Sequence, residues 1–183
     1  WLPLAGAIDR IIGYTFTLGI VQESVKYAVV RFTTWPDHFR TRLDGAAYCA
    51  ASAVGYAFVL NFRLLLNNPN VSPDVLAMQV FDNVAVNLAA SLIISYGLAE
   101  VRFDKPMPFL LTITVALGAL LNGIAIPLRS GLTNAGFALA GSAPTPLFGL
   151  GFSAALLVAV GVAVAFLFTN AERQAREAAA SRD

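Results

Sequence analysis

Apolar residues form five long runs along the chain, separated by short polar segments. The runs cover about residues 11–34, 44–66, 74–100, 108–128 and 147–168. Each is about 20 residues or longer, the length that an α-helix needs to cross the hydrocarbon core of a bilayer. Since a lipid-exposed backbone must satisfy its own hydrogen bonds, this pattern predicts an all-α, polytopic transmembrane helix bundle. We expect residues 1–183 to form a single integral-membrane domain.

The segments between the runs contain helix-breaking residues. Trp35 and Pro36 are expected to end the first span, and residues 67–73 contain two prolines and three asparagines. Pro127 is predicted to break the fourth span near its end. Residues 129–146 are rich in Gly, Ala, Ser and Pro, which predicts an extramembrane loop.

Lysine and arginine concentrate on one side of the predicted membrane. Residues 36–43, 101–107 and 170–183 carry most of these cations, whereas 67–73 carries none and 129–146 carries only Arg129. The positive-inside rule then places the tail 170–183, a short charged helix or irregular end, in the cytoplasm. The chain begins with Trp1 instead of Met, so we expect an N-terminal part to be missing.

Composition narrows the possible functions. The 183 residues are 57% hydrophobic and 13% charged, against about 25% charged in an average soluble domain. The net charge of +1 does not indicate a basic surface that would bind nucleic acid. Cys49 and His38 are the only residues of their types, so we expect no intrachain disulfide, no metal site and no cofactor.

Several polar residues lie deep within the predicted spans. A carboxylate or ammonium there costs roughly 2.5 kcal/mol or more, so such groups pair or face a protein interior. We predict one polar cluster formed by Glu23, Lys26, Asn61, Asn83, Asn87 and Asn122. It is either hydrogen-bonded packing between helices or an active site in which a carboxylate activates water.

The second span carries small residues at helical spacing. Ala47, Ala51 and Gly55 recur every fourth position. Such a stripe predicts that a second helix packs closely against this face.

Three blocks of the sequence resemble the PrsW-type intramembrane proteases. These blocks are Gln22–Lys26, Leu43–Tyr48 and Gly55–Asn61. The family shows paired glutamates with a lysine three residues after the second, then Asp-Gly-x-x-Tyr, Gly-Phe-Ala-x-x-Glu-Asn, a histidine, and a later His-Gly. The resemblance extends from about residue 20 to 125. It implies cleavage of peptide bonds within the membrane by the glutamates and histidines.

The chain departs from this pattern at four positions. Gln22 and Leu60 stand where the family has glutamates, and Asn87 and Asn122 stand where it has histidines. None of the four side chains accepts a proton at working pH. We therefore expect no catalytic residue, and regard the following positions as vestigial: Gln22, Glu23, Lys26, Leu60, Asn61, Asn87 and Asn122.

The leading functional hypothesis is a catalytically inactive relative of these proteases. It would act as a structural or accessory subunit of a hetero-oligomeric membrane complex, in contact with lipid and other integral-membrane subunits, in a bacterial inner membrane. An alternative is an active protease that uses Glu23 with Asp44 or a group before Trp1. A second alternative is a carrier that binds a lipid or small molecule in a polar cavity, although the chain shows no second matching half.

Overall fold

The fold was described from a computed structural model, which describes residues 6–104, 107–135 and 146–180. The helices are α1 (Ala7–Tyr14), α2 (Ile20–Thr33), α3 (Arg42–Asn67), α4 (Pro73–Phe103), α5 (Leu110–Ala135) and α6 (Pro146–Ala180). A π-helical turn, Thr15–Gly19, joins α1 to α2. Within the described ranges the regular elements are all helices and no strand is present, which confirms the predicted all-α class.

Four helices are long and apolar enough to cross a membrane. They are α3, α4, the Leu110–Leu132 part of α5 and the Leu147–Glu177 part of α6, and they overlap four of the predicted spans. The chain is therefore an integral membrane protein. The remaining predicted span, 11–34, corresponds to α1, the π-helical turn and α2, which follow one another without a loop.

The prediction was wrong at the end of α5. Pro127 lies inside this helix, which continues to Ala135, so neither the break nor a loop from residue 129 is present. A membrane helix tolerates proline where neighbouring groups compensate the lost backbone hydrogen bond. The rest of the predicted loop, 136–145, lies outside the described residues.

The C-terminal tail is a continuation of the last helix. Beyond the predicted end at Phe168, α6 runs without interruption to Ala180. Arg173 Nε donates to Glu177 Oε1 over 2.8 Å on this exposed part, an i, i+4 pair that supports helix in water.

The central element of the bundle is α4. It packs against α2, α3, α5 and α6, and 67% of its most apolar stretch is buried, compared with 22% for α3 and 11% for α6. Small buried residues, such as Ala85, Ala89 and Ala90, occur on several faces of this helix. Helices α3 and α6 therefore expose most of their apolar surface to lipid, while α4 carries the interior.

The π-helical turn crosses α5 with the two backbones in contact. A Cβ atom added to Gly19 would collide with the carbonyl oxygen of Ala119, and one added to Gly123 would lie 2.8 Å from the backbone nitrogen of Thr15. Ala119 and Gly123 are four residues apart, so they form a small-xxx-small pair. Thr15 Oγ1 also donates to the Ile11 carbonyl over 2.7 Å, which satisfies a polar group at the turn.

The predicted packing stripe of α3 is not used inside the chain. Ala47, Ala51 and Gly55 are exposed, and no atom lies within 4 Å of a Cβ placed on Gly55. The face that packs holds Gly45, Cys49, Ala53, Ala57 and Asn61. Small residues cover several sides of α3, so their spacing alone does not show which side is buried. The buried side is the one that includes the amide side chain of Asn61.

Substitution of the close-contact glycines should destabilise the fold. We expect Gly123→Ala to lower the free energy of unfolding by about 1–3 kcal/mol, because the added methyl group must push the Thr15 backbone away. Thermal unfolding in detergent, followed by size-exclusion chromatography, measures the effect. Gly55→Ala is the matched control and should leave the melting temperature unchanged or slightly raised; equal effects of the two substitutions would contradict the proposed contact.

Candidate functional site

The centre of the candidate site is a buried ion pair on α2. Lys26 Nζ lies 2.6 Å from Glu23 Oε1, and the two side chains are 2% and 0% exposed. The residues lie three positions apart, so one helix face carries both charges. The pair removes the net charge from this part of the bundle interior.

The ammonium group of Lys26 has a hydrogen-bond acceptor for each of its three protons. Besides Glu23 Oε1, Lys26 Nζ donates to Asn87 Oδ1 over 2.9 Å and to the Asn87 carbonyl over 3.3 Å. The Lys26 carbonyl accepts a hydrogen bond from Ser52 Oγ of α3 over 3.2 Å. Lys26 thus connects α2 with both α3 and α4.

The carboxylate of Glu23 connects α2 with α5. Asn122 Nδ2 donates to Glu23 Oε1 over 2.6 Å, while the second oxygen, Oε2, has no hydrogen-bond partner among the described residues. Gly118 of α5 lies beside this group and close to α4, since a Cβ there would lie 3.5 Å from Glu23 Oε2, at ordinary contact distance, and only 3.1 Å from the Ala90 carbonyl oxygen. The glutamate therefore lies where α2, α4 and α5 meet.

Three asparagines continue the network toward the N-terminal end of α4. Asn87 Nδ2 donates to the Asn83 carbonyl over 2.9 Å, and Asn83 Nδ2 donates to Asn61 Oδ1 over 2.8 Å. Asn61 Nδ2 reaches the Val80 carbonyl at 3.4 Å. All six residues of the predicted polar cluster are thus brought together in one network across four helices.

Two charged residues that contact this network were not predicted from the sequence. Arg129 Nη1 donates to Asn83 Oδ1 over 3.3 Å, and Arg129 Nε lies 3.8 Å from Asp82 Oδ2. Asp82 is a carboxylate within a span, which by itself signals the need for a cation from another helix. The pairing was missed because residue 129 was assigned to a loop.

The cluster borders a small enclosed cavity of about 50 Å³. The lining residues come from α2, α3, α4 and α5: Gln22, Leu60, Asn83, Val86, Asn87, Asn122, Ala125, Ile126 and Arg129. All four positions at which the chain departs from the PrsW-type pattern are among them. The departures therefore concern one site.

The chemistry of this cavity is that of amides, alkyl groups and a guanidinium. None of these groups acts as a general base near neutral pH. Catalytic zinc sites use imidazole, carboxylate or thiolate ligands, and within the described ranges no group of three or more such side chains could hold a metal ion. The donor set present does not fit a catalytic metal ion.

Asp44 lies apart from this cluster. Its Oδ2 accepts hydrogen bonds from the backbone N–H groups of Thr41 at 2.6 Å and Arg40 at 2.8 Å, so it caps the start of α3. Ser52, which contacts the Lys26 carbonyl, is eight residues further along the helix, or about 12 Å along the axis. This position does not bring Asp44 to Glu23.

A second, open cavity lies between α2 and α3. It has a volume of about 470 Å³ and includes Lys26, Ser52, Gly55, Tyr56 and Val59 in its lining. Lys26 Nζ lies 5.8 Å from the centre of the Tyr56 ring, within cation–π range. This α2–α3 groove reaches from the surface of the bundle to the ion pair.

The comparison with protein families agrees with the resemblance seen in the sequence. A family model described as PrsW family intramembrane metalloprotease matches residues 2–102, which include Gln22, Leu60 and Asn87; Asn122 lies beyond the match. No curated protein and no solved structure gives a significant match. Since the match covers more than half of the chain, the protein belongs to the PrsW family of intramembrane metalloproteases.

Proposed function

We propose that this chain is a PrsW-family member that does not cleave peptide bonds and serves as a structural or accessory subunit of a membrane protein complex. The observation that carries the proposal is the location of the four departures. Gln22, Leu60, Asn87 and Asn122 all line one cavity of about 50 Å³. Replacement of proton-transferring groups at four positions of a single site favours loss of chemistry over a change of substrate.

The geometry of the polar network supports a structural role for Glu23 and Lys26. Glu23 and Lys26 pair with each other, and their other hydrogen bonds go to the amides of Asn122 and Asn87. Asparagine keeps a hydrogen-bonding group in the place of an imidazole but does not exchange protons. The network therefore holds α2 to α4 and α5, and its one retained family glutamate, Glu23, is paired with Lys26.

The unused surface of α3 supports a subunit role. Ala51 and Gly55 are exposed and line the α2–α3 groove, where small residues allow the close approach of another helix. We propose that a transmembrane helix of another subunit occupies this groove. We also propose that the protein lies in a bacterial inner membrane, with its C-terminus in the cytoplasm.

The absence of protease activity is testable with the purified protein. We expect no cleavage of transmembrane peptides in proteoliposomes beyond that of Glu23→Gln, because the cavity offers no general base. Mass spectrometry of the peptides measures the products. Cleavage that is lost in Glu23→Gln would overturn the proposal, and its additional loss in Asp44→Asn would support the alternative of an active glutamate-dependent protease.

The structural role of the ion pair is testable by a double-mutant cycle. Glu23→Leu or Lys26→Leu alone should each lower the free energy of unfolding by about 3–5 kcal/mol, because each leaves one buried charge unpaired. The double substitution should be less destabilising than either single one. Unfolding titrations in detergent measure all four proteins, and strictly additive effects would show that the pair does not stabilise the bundle.

The docking of a partner helix is testable by filling the α2–α3 groove. Gly55→Leu should leave the melting temperature unchanged, since nothing lies near its Cβ, while reducing the amount of co-purified partner subunit by about ten-fold or more. Quantitative mass spectrometry after mild-detergent purification measures the ratio. Gly161→Leu, at another open position on α6, should retain the partner; equal recovery with both variants would contradict the groove as the docking surface.

A further inference from the structure

The family description implies a metal ion, whereas the cavity holds a cationic side chain. Arg129 is one of its lining residues, and the surrounding amides and leucine do not form a metal site. We propose that the Arg129 guanidinium is a built-in cation that takes the place of a metal ion in this cavity and excludes divalent cations from it. This inference rests on the proposed loss of catalysis and names what replaced the catalytic centre.

Arg129 is held in place by α4. Its Nη1 donates to Asn83 Oδ1 over 3.3 Å, and its Nε lies 3.8 Å from Asp82 Oδ2. The Arg129 side chain is 25% exposed and that of Asp82 is 9% exposed. Asn83 also lines the cavity, so the guanidinium is anchored at the cavity wall, with its charge directed toward the polar network.

The charges of the network balance without a metal ion. Its two carboxylates, Glu23 and Asp82, are each paired with one cation, Lys26 or Arg129. A divalent ion would add two uncompensated charges, since the neutral amides of Gln22, Asn87 and Asn122 supply none. In an interior of low dielectric constant, such an ion and the Arg129 guanidinium would repel each other more strongly than in water.

The first experiment uses a single substitution in the otherwise unchanged chain. In Arg129→Gln, the Asp82 carboxylate loses its cation and becomes available as a metal ligand, so we expect the affinity for Zn²⁺ to rise about ten-fold or more and Zn²⁺ to raise the melting temperature. Chelator competition and thermal unfolding in detergent measure both effects. Arg63→Gln, at an exposed position of α3, is the matched control and should behave like the wild type.

The second experiment restores the ligands expected from the family. The background variant carries Gln22→Glu, Leu60→Glu, Asn87→His and Asn122→His. Adding Arg129→Gln to this background should raise its affinity for Zn²⁺ by about ten-fold or more. Adding Arg63→Gln instead should leave that affinity unchanged. If this background does not fold, the single substitution decides. Equal Zn²⁺ affinity with and without Arg129 in either experiment would overturn the inference.

The outcomes separate this inference from the proposed function. Stoichiometric Zn²⁺ in the wild-type cavity, unaffected by Arg129→Gln, would contradict the built-in cation even if the protein cleaves nothing. Glu23-dependent cleavage by a zinc-free protein would contradict the proposed loss of catalysis and leave the exclusion of metal by Arg129 standing.

Discussion

The arrangement of the bundle depends on one requirement, the complete pairing of the Lys26 ammonium inside the membrane. Its three acceptors are one carboxylate oxygen of Glu23 and two oxygens of Asn87, and an uncompensated ammonium at this depth would cost several kcal/mol. Satisfying these bonds fixes the distance and rotation of α2 relative to α4. The carboxylate of Glu23 then fixes α5 through Asn122.

Short hydrogen bonds between four helices require the backbones to approach closely, and glycine provides the space. Gly118 lies close to the Ala90 carbonyl oxygen of α4, and Gly123 lies against the backbone of Thr15. Asn122 lies between these two glycines on α5. The polar network and the glycine contacts are therefore parts of the same interface.

The sequence predicted the membrane class and the six-residue polar cluster, because apolar length and buried charge follow directly from the physics of the bilayer. The packing face of α3 was not predictable from spacing, since small residues such as Ala51 and Ala53 occur on both its exposed and buried sides. The role of Arg129 was missed because Pro127 was taken as a helix end. Tertiary contacts determine both features.

The π-helical turn Thr15–Gly19 shifts the rotational phase of α2 relative to α1. An α-helix turns by about 100° per residue, and a π turn contains one residue more than the α-helical turn that it replaces. The direction faced by α2 is thereby offset by one residue, about 100°, from the direction that an unbroken α-helix continuing α1 would give. The extra residue contributes to directing Glu23 toward Asn122 and Lys26 toward Asn87, and its loss would rotate both charged side chains away from these partners.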